Sequence, residues 1–258
     1  MFGTAQSVAA VATSVALAVC LLLVARRVRG PSAGRAASDA AGWHVGLIGT
    51  SYAVIVAFML AQVWTSFGAA AQNAAIEATS LASLFRVAEG LPAAERRQLQ
   101  SLCREYATVA ITKEWPAMTH DSLSPAGFPV VQQMWTTLLR TDVRPGLEQT
   151  SLQQAIETLT RMTEHRRIRQ LQSRSRIPAI LWTILIVGGV ATIVASCTYA
   201  VDDLRLSAFQ VVTLSLLIAL MLVAIADIDR PFDGPVHVSA EGFEAARATF
   251  DQLISTSR

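Results

Sequence analysis

GWHVGLIGTSYAVIVAFMLAQVWTSFGAAAQNAAIEATSLASLFRVAEGL, residues 42–91, is the stretch whose reading decides the fold. Residues 40–76 contain no Asp, Glu, Lys or Arg, and only His44 interrupts the neutral run. Residues 45–67 are apolar enough and long enough to cross a bilayer as a helix. The pattern then continues. No proline intervenes before Pro92, and from Gln72 the composition turns polar while helix formers persist. One helix of about 48 residues would be roughly 70 Å long, of which a hydrocarbon core takes about 30 Å. The stretch therefore predicts a membrane-crossing helix that becomes the first rod of a soluble helical domain.

Composition extends this reading outward. The chain is 52% hydrophobic and only 16% charged, and charges are absent from residues 1–25, 40–76, 177–201 and 206–226. Each window has the length a spanning helix needs. A soluble protein can hold one such helix in its core, but not four in 258 residues. Charged residues gather instead between residues 77 and 176. A net charge of +2 says little about nucleic acid, and no interleaving of aromatic and basic residues points to such a partner, so none is expected. The basic excess is juxtamembrane, which points to membrane lipids. Lys113 is the only lysine among 21 basic residues.

Chemistry-bearing patterns are absent. Cys20 and Cys197 fall within spans and Cys103 on a soluble helix, with no CxxC or Cys/His ligand spacing; all three are expected to be buried thiols. His44, His120, His165 and His237 are scattered. No Ser/His/Asp, Cys/His or paired-carboxylate arrangement stands out, so neither an enzyme nor a metal or cofactor site is expected.

Taken in order, residues 7–25 make the first span. It lacks a basic leader and is followed by Arg26, Arg27 and Arg29, which favours a retained anchor over a cleaved signal. Residues 30–39 read as a breaker-rich loop. The long second span follows, with Trp43 and Trp64 at interfacial depths. Beyond it only helical stripes appear: Ile76, Leu81, Leu84 and Leu91; Leu99, Leu102, Cys103 and Tyr106, ending at Trp115-Pro116; Phe128, Val131, Trp135 and Leu138; Leu152, Ile156, Leu159 and Met162. Pro92 suits a first helical turn, and Ser124-Pro125 an N-cap with its first residue. Ile177-Pro178 opens a third span with Trp182 as its anchor, residues 201–205 make a tight connection, and a fourth span runs over residues 209–226. The tail turns on its Pro and Gly residues, and Ser239-x-Glu241 begins a closing helix through Leu253. No period-2 pattern occurs. The fold class is all-α: a polytopic membrane protein with four transmembrane helices and a helical soluble domain inserted between helices two and three. Its divisions are residues 1–67, 68–176, 177–227 and 228–258.

Four spans put both termini and the domain on one side. Near the span ends that side carries nine arginines (Arg86, Arg161, Arg166, Arg167, Arg169, Arg174, Arg176, Arg230 and Arg247). The other carries five (Arg26, Arg27, Arg29, Arg35 and Arg205), offset by Asp202 and Asp203. The excess favours a cytoplasmic domain, although the Arg cluster after the first span prefers the opposite arrangement.

Several stretches resemble the bestrophin-like domain family of bacterial membrane proteins. They are Tyr52-Ala-Val-Ile-Val-Ala-Phe58 leading to Val63-Trp64, Glu77-Ala-x-x-Leu81-x-x-Leu84-Phe85-Arg86, Glu114-Trp115-Pro116-Ala117-Met118, and Asp229-Arg230-Pro231-Phe232-Asp233-Gly234-Pro235 followed by Val238-Ser239. A departure is Gly68-Ala-Ala-Ala, where acidic or bulky residues are usual. True bestrophins are pentameric anion channels whose second membrane helix lines the pore and whose helical domain and termini are cytosolic. The resemblance thus implies a homo-oligomer in a bacterial inner membrane. A bestrophin calcium-clasp acidic run and selectivity signature have no match here, so the implication is architectural.

Two functions are open at this point: an anion-permeable channel, or a non-conducting scaffold or sensor that signals through the bundle. For the first, Ser51, Phe58, Thr65 and Gln72, with Gln62 beside them, form a heptad line whose polar groups could solvate ions while Phe58 makes a dewetting constriction. The competing reading is hydrogen bonding between packed helices. Arg166, Arg167, Arg169, Arg174 and Arg176 are candidates for lipid or anion contact. Glu77, Arg86 and Arg230 are candidates for pairing between helices, across subunits in the case of Glu77 and Arg86.

Overall fold

A computed structural model describes residues 4–28, 35–198 and 203–256. Among these residues there is no strand. The helices are α1 (Thr4–Val28), α2 (Arg35–Val87), α3 (Ala93–Val109), α4 (Trp115–Met118), α5 (Gly127–Arg140), α6 (Leu147–Gln172), α7 (Ala179–Thr198), α8 (Leu204–Ile228) and α9 (Glu241–Thr256). Four stretches are long and apolar enough to cross a membrane: Ala5–Arg27, Gly42–Gly90, Ala179–Cys197 and Leu204–Ile228. The chain divides into two compact units, Met1–Ser66 with Arg176–Asp229, and Phe67–Ser175 with Arg230–Arg258.

In the first unit α1, the front of α2, α7 and α8 pack through Ala18, Leu22, Tyr52, Val56, Val63, Leu185, Val211, Ile218 and Ile225. The Tyr52 hydroxyl donates to the Leu185 carbonyl at 3.0 Å. One edge of its ring lies against Gly188, where an added Cβ would stand 2.7 Å from a ring carbon, so the helices approach because that side chain is missing. Arg26 donates to the buried Ser207 hydroxyl at 3.1 Å, tying the end of α1 to the start of α8.

In the second unit the back of α2 packs with α3, α5, α6 and α9 around Leu81, Leu84, Phe85, Leu99, Met134, Leu138, Leu159 and Met162. Phe85 stacks on Phe250 of α9 with ring centroids 4.4 Å apart. The connecting segment before α9 turns at Gly234, whose φ of +94° suits a residue without Cβ. It is closed by Val238 N–H donating to the Pro231 carbonyl at 2.7 Å.

Several boundaries differ from the sequence reading, each for a local reason. Helix α2 is 53 residues long and starts at Arg35, because alanines at 36, 37, 40 and 41 outweigh the breaker signal of Gly30-Pro31-Ser32 upstream. Helix α8 starts five residues before Phe209, since Asp203 caps it by accepting the Arg205 amide at 2.8 Å. Pro92 sits at the N-cap of α3 rather than inside its first turn. Cys20 is exposed, unlike Cys103 and Cys197, because α1 buries only the stripe of Ala18 and Leu22. The third span's end at Tyr199, the 201–202 part of the tight connection, and Arg29 lie outside the described residues.

A π-helical turn, Ala110–Glu114, joins α3 to α4. Its last bond runs from the Trp115 amide to the Ala110 carbonyl, five residues back. In a straight α-helix, eight residues would carry Glu114 about 80° past the face of Tyr106. The widened turn takes up most of that rotation.

Candidate functional site

Two sets of side chains on α2 stand out, one facing away from this chain and one sealed inside it. The first is the heptad line. The residues that α2 buries in the first unit (Tyr52, Val56 and Val63) lie on one face. Ser51, Phe58, Gln62, Thr65 and Gln72 lie about 140° around the helix from that face at 3.6 residues per turn. All five are exposed, Phe58 by 73%. Among the described residues none bonds to another helix, and Thr65 satisfies its hydroxyl on the Ala61 carbonyl of its own helix at 2.8 Å. The interhelical reading of these groups therefore does not hold within one protomer.

The second set is built where α2 enters the second unit. Glu77 falls on the apolar stripe of Ala70, Ala74, Leu81 and Leu84 and is completely buried. Such a charge is tolerated only if it is paired and hydrogen-bonded. Arg169, on α6 seven residues beyond buried Met162, supplies the partner. Its Nε donates to Glu77 Oε2 at 2.6 Å and its Nη2 to Glu77 Oε1 at 2.9 Å, a two-pronged contact that matches guanidinium to carboxylate. Tyr106 of α3 donates its hydroxyl to the same Oε1 at 2.5 Å. Arg169 Nη2 also reaches Glu114 Oε2 at 2.7 Å, and Arg166 holds Glu114 Oε1 through Nη2 at 2.6 Å and Nε at 3.2 Å. Two carboxylates and two guanidinium groups leave the cluster neutral.

The surroundings are shaped for it. The Arg169 guanidinium carbon lies 4.7 Å from the centre of the Trp115 ring, and its Nη1 contacts the Met118 sulfur at 3.3 Å. Gly127 opens α5 directly against Glu114: an added Cβ would overlap the carboxylate. Trp115 in turn donates its indole N–H to the Val238 carbonyl at 3.0 Å and meets Phe232 and Phe243 edge-on. Burial opposes the charge on Arg169, but the Glu77 carboxylate, with Tyr106 and Glu114 adding to it, outweighs that and raises its pKa well above the ordinary arginine value. Burial, reinforced by Glu77, likewise holds the Tyr106 phenol well above its usual 10.0, keeping it a donor. Burial also pushes the Cys103 thiol up, which makes it unreactive.

Several sequence expectations are corrected by this geometry. Arg169 is no candidate for lipid or anion contact, because its side chain is fully buried and paired. Arg166 is mostly covered and held by Glu114. Arg167 and Arg174 are exposed and Arg176 half-buried. Glu77 pairs within the chain, with Arg169 and not with Arg86, which is exposed. Arg230 lies 3.5 Å from Asp233 in its own turn. Among the described residues there is no cluster of His, Cys, Asp and Glu fit to hold a metal. The residues missed were Tyr106, Glu114 and Trp115 as members of one cluster. The signal available was position: Glu77 and Arg169 each occupy a place on a stripe that otherwise holds only apolar residues.

Removing one member of a buried ion pair strands the other, which typically costs about 3–5 kcal/mol. Arg169→Met should therefore lower the midpoint of thermal unfolding sharply in detergent-purified protein. Arg169→Lys should rescue little, since an ammonium lacks the planar fork. The Tyr106 phenol has its pKa raised on folding, so its contribution is complete below the ordinary value of 10.0 and is lost as pH rises through the folded value. The stability gap between the wild type and Tyr106→Phe should shrink as denaturation is measured at pH values above about 10.

The model of the bestrophin-like domain family matches residues 12–243. Comparison with curated proteins and with solved structures finds no match. The matched range takes in most of α1, all of α2 to α8 and the start of α9, including Glu77, Tyr106, Glu114 and Arg169. Given that match and four stretches apolar enough to span a bilayer, the chain belongs to the bestrophin-like domain family and is an integral membrane protein.

Proposed function

We propose that this protein is a homo-oligomeric, anion-permeable channel with no catalytic chemistry, whose lumen is lined by α2. The observation that carries the reading is the outward line of Ser51, Phe58, Gln62, Thr65 and Gln72 on a helix that crosses the membrane. An amide such as Gln62 facing hydrocarbon would lack a partner and cost several kcal/mol in order of magnitude. A water-filled passage between copies of the chain removes that cost. Family membership supports the same arrangement, because bestrophins themselves are pentamers with this helix at the pore. The second unit would then be a soluble helical domain between the second and third spans, on the cytoplasmic side of a bacterial inner membrane with both termini. Exposed Arg167 and Arg174 would face lipid headgroups or arriving anions there.

Purified protein in liposomes should pass chloride or nitrate above the leak of empty vesicles. No flux under varied pH and calcium would remove the channel reading and leave the scaffold or sensor. Phe58→Ala should raise conductance or abolish closure while the oligomer survives, since the side chain packs against little within its own protomer. A destabilised protein with no gain in flux would move the lumen to another face of α2. Orientation is tested separately, with single cysteines at Gln98 and Ser32 in a background without native thiols. A membrane-impermeant reagent applied to intact cells should label the Ser32 site and spare the Gln98 site; the reverse would place the domain outside.

A further inference from the structure

The first unit contains a second place where polar groups meet an apolar surface. Where α8 ends and α1 and α7 begin, a cleft of about 220 Å³ is walled by Val11, Ile186, Leu222 and their neighbours. Four polar side chains also line it: Ser7 and Ser14 of α1, Trp182 of α7 and Asp227 of α8. Among the described residues, none of the four has a side-chain hydrogen bond or ion pair. The contrast with the next acid is sharp. Asp229 is engaged, its Oδ1 accepting the Ile177 amide at 3.0 Å. Asp227 is half-buried, sits in the last turn of α8 where the carbonyl ends of the helix already repel a negative charge, and has no basic residue in that turn.

A carboxylate so placed calls for a cation with hydrogen to donate, and its location at the end of an apolar helix sets what can bring one. Water-soluble cations have no use for the apolar walls, whereas an amphiphile fills both parts. A cavity of 150 Å³ takes benzene, so this cleft has room for the first carbons of an acyl chain. A primary ammonium offers three donors, one for each partner it reaches, and the Trp182 indole N–H remains to donate to an ester or phosphate oxygen. We propose that this cleft binds one phospholipid with a primary-amine headgroup, its ammonium on Asp227 and one acyl chain along Val11 and Leu222. The inference rests on the membrane location of these helices and not on ion conduction.

The full-length protein in detergent can be titrated with dioleoyl phosphatidylethanolamine, the matching phosphatidylcholine and the matching phosphatidylglycerol. Native mass spectrometry then counts the lipids retained. A bond to a charged acceptor should favour the primary amine by roughly tenfold over the trimethylated headgroup, which has no hydrogen to donate. Asp227→Asn should bring phosphatidylethanolamine down to the phosphatidylcholine level, and Asp227→Glu should keep most of the preference. Equal retention of the three lipids by the wild type would overturn the proposal. So would a preference that survives Asp227→Asn, or an oligomer in which phosphatidylethanolamine finds no place because a second copy covers the cleft. Flux measurements do not enter this test, so its failure and that of the channel reading are distinguishable.

Discussion

The Arg169 guanidinium is the group on which the second unit depends. It draws together α2 through Glu77, the π-helical turn through Glu114 and α4 through Met118 and Trp115, and Trp115 passes the connection on to the segment before α9. Only arginine has the donors and the planarity for this. Lysine would place one compact charge where several bonds in fixed directions are needed. Forming such a buried pair gains little net stability, because desolvation cancels most of the attraction. Its hold on the fold comes from the asymmetry: a packing that kept Arg169 or Glu77 inside without the other would leave a charge buried without a partner. The cluster therefore selects one arrangement more than it deepens it.

Much of this architecture was legible in the sequence. Charge-free windows located all four apolar helices, and the 3.6-residue stripes of Leu81 and Leu84 or Leu159 and Met162 located the bundle that packs on them. Boundaries were less so, because alanine-rich residues 35–41 satisfy both a loop and a helix reading until the neighbouring turns decide. The ion-pair cluster was not read at all. A run of arginines at 166, 167, 169, 174 and 176 looks uniform in one dimension, while the helix turns Arg169 into the core and Arg167 to the surface. The same blindness affects charge counting for membrane orientation: of nine arginines on the favoured side, Arg166 and Arg169 are held by carboxylates of their own chain.

The apolar helices present the opposite difficulty. Where nearly every residue is hydrophobic, periodicity ceases to distinguish the face against a neighbour from the face against lipid. The packed face of α2 became visible only through Tyr52, whose hydroxyl finds the Leu185 carbonyl and whose ring requires Gly188 beside it. Once that face is known, the polar residues on the far side acquire meaning. The same residues in the middle of a soluble helix would be ordinary surface.

The π-helical turn at Ala110–Glu114 has a consequence for how this part of the chain can change. It amounts to one residue more than an α-helix of the same rise, and the widened turn absorbs that residue so that Tyr106 and Glu114 share a side. Loss of any single residue there would restore a regular helix with every backbone bond intact and good local propensity. Seven residues of α-helix turn about 20° short of two full turns, so Glu114 would still face the side of Tyr106. A one-residue deletion is therefore the length change this helix absorbs most gently, whereas a second inserted residue would turn Glu114 by about a further 100° and away from both arginines.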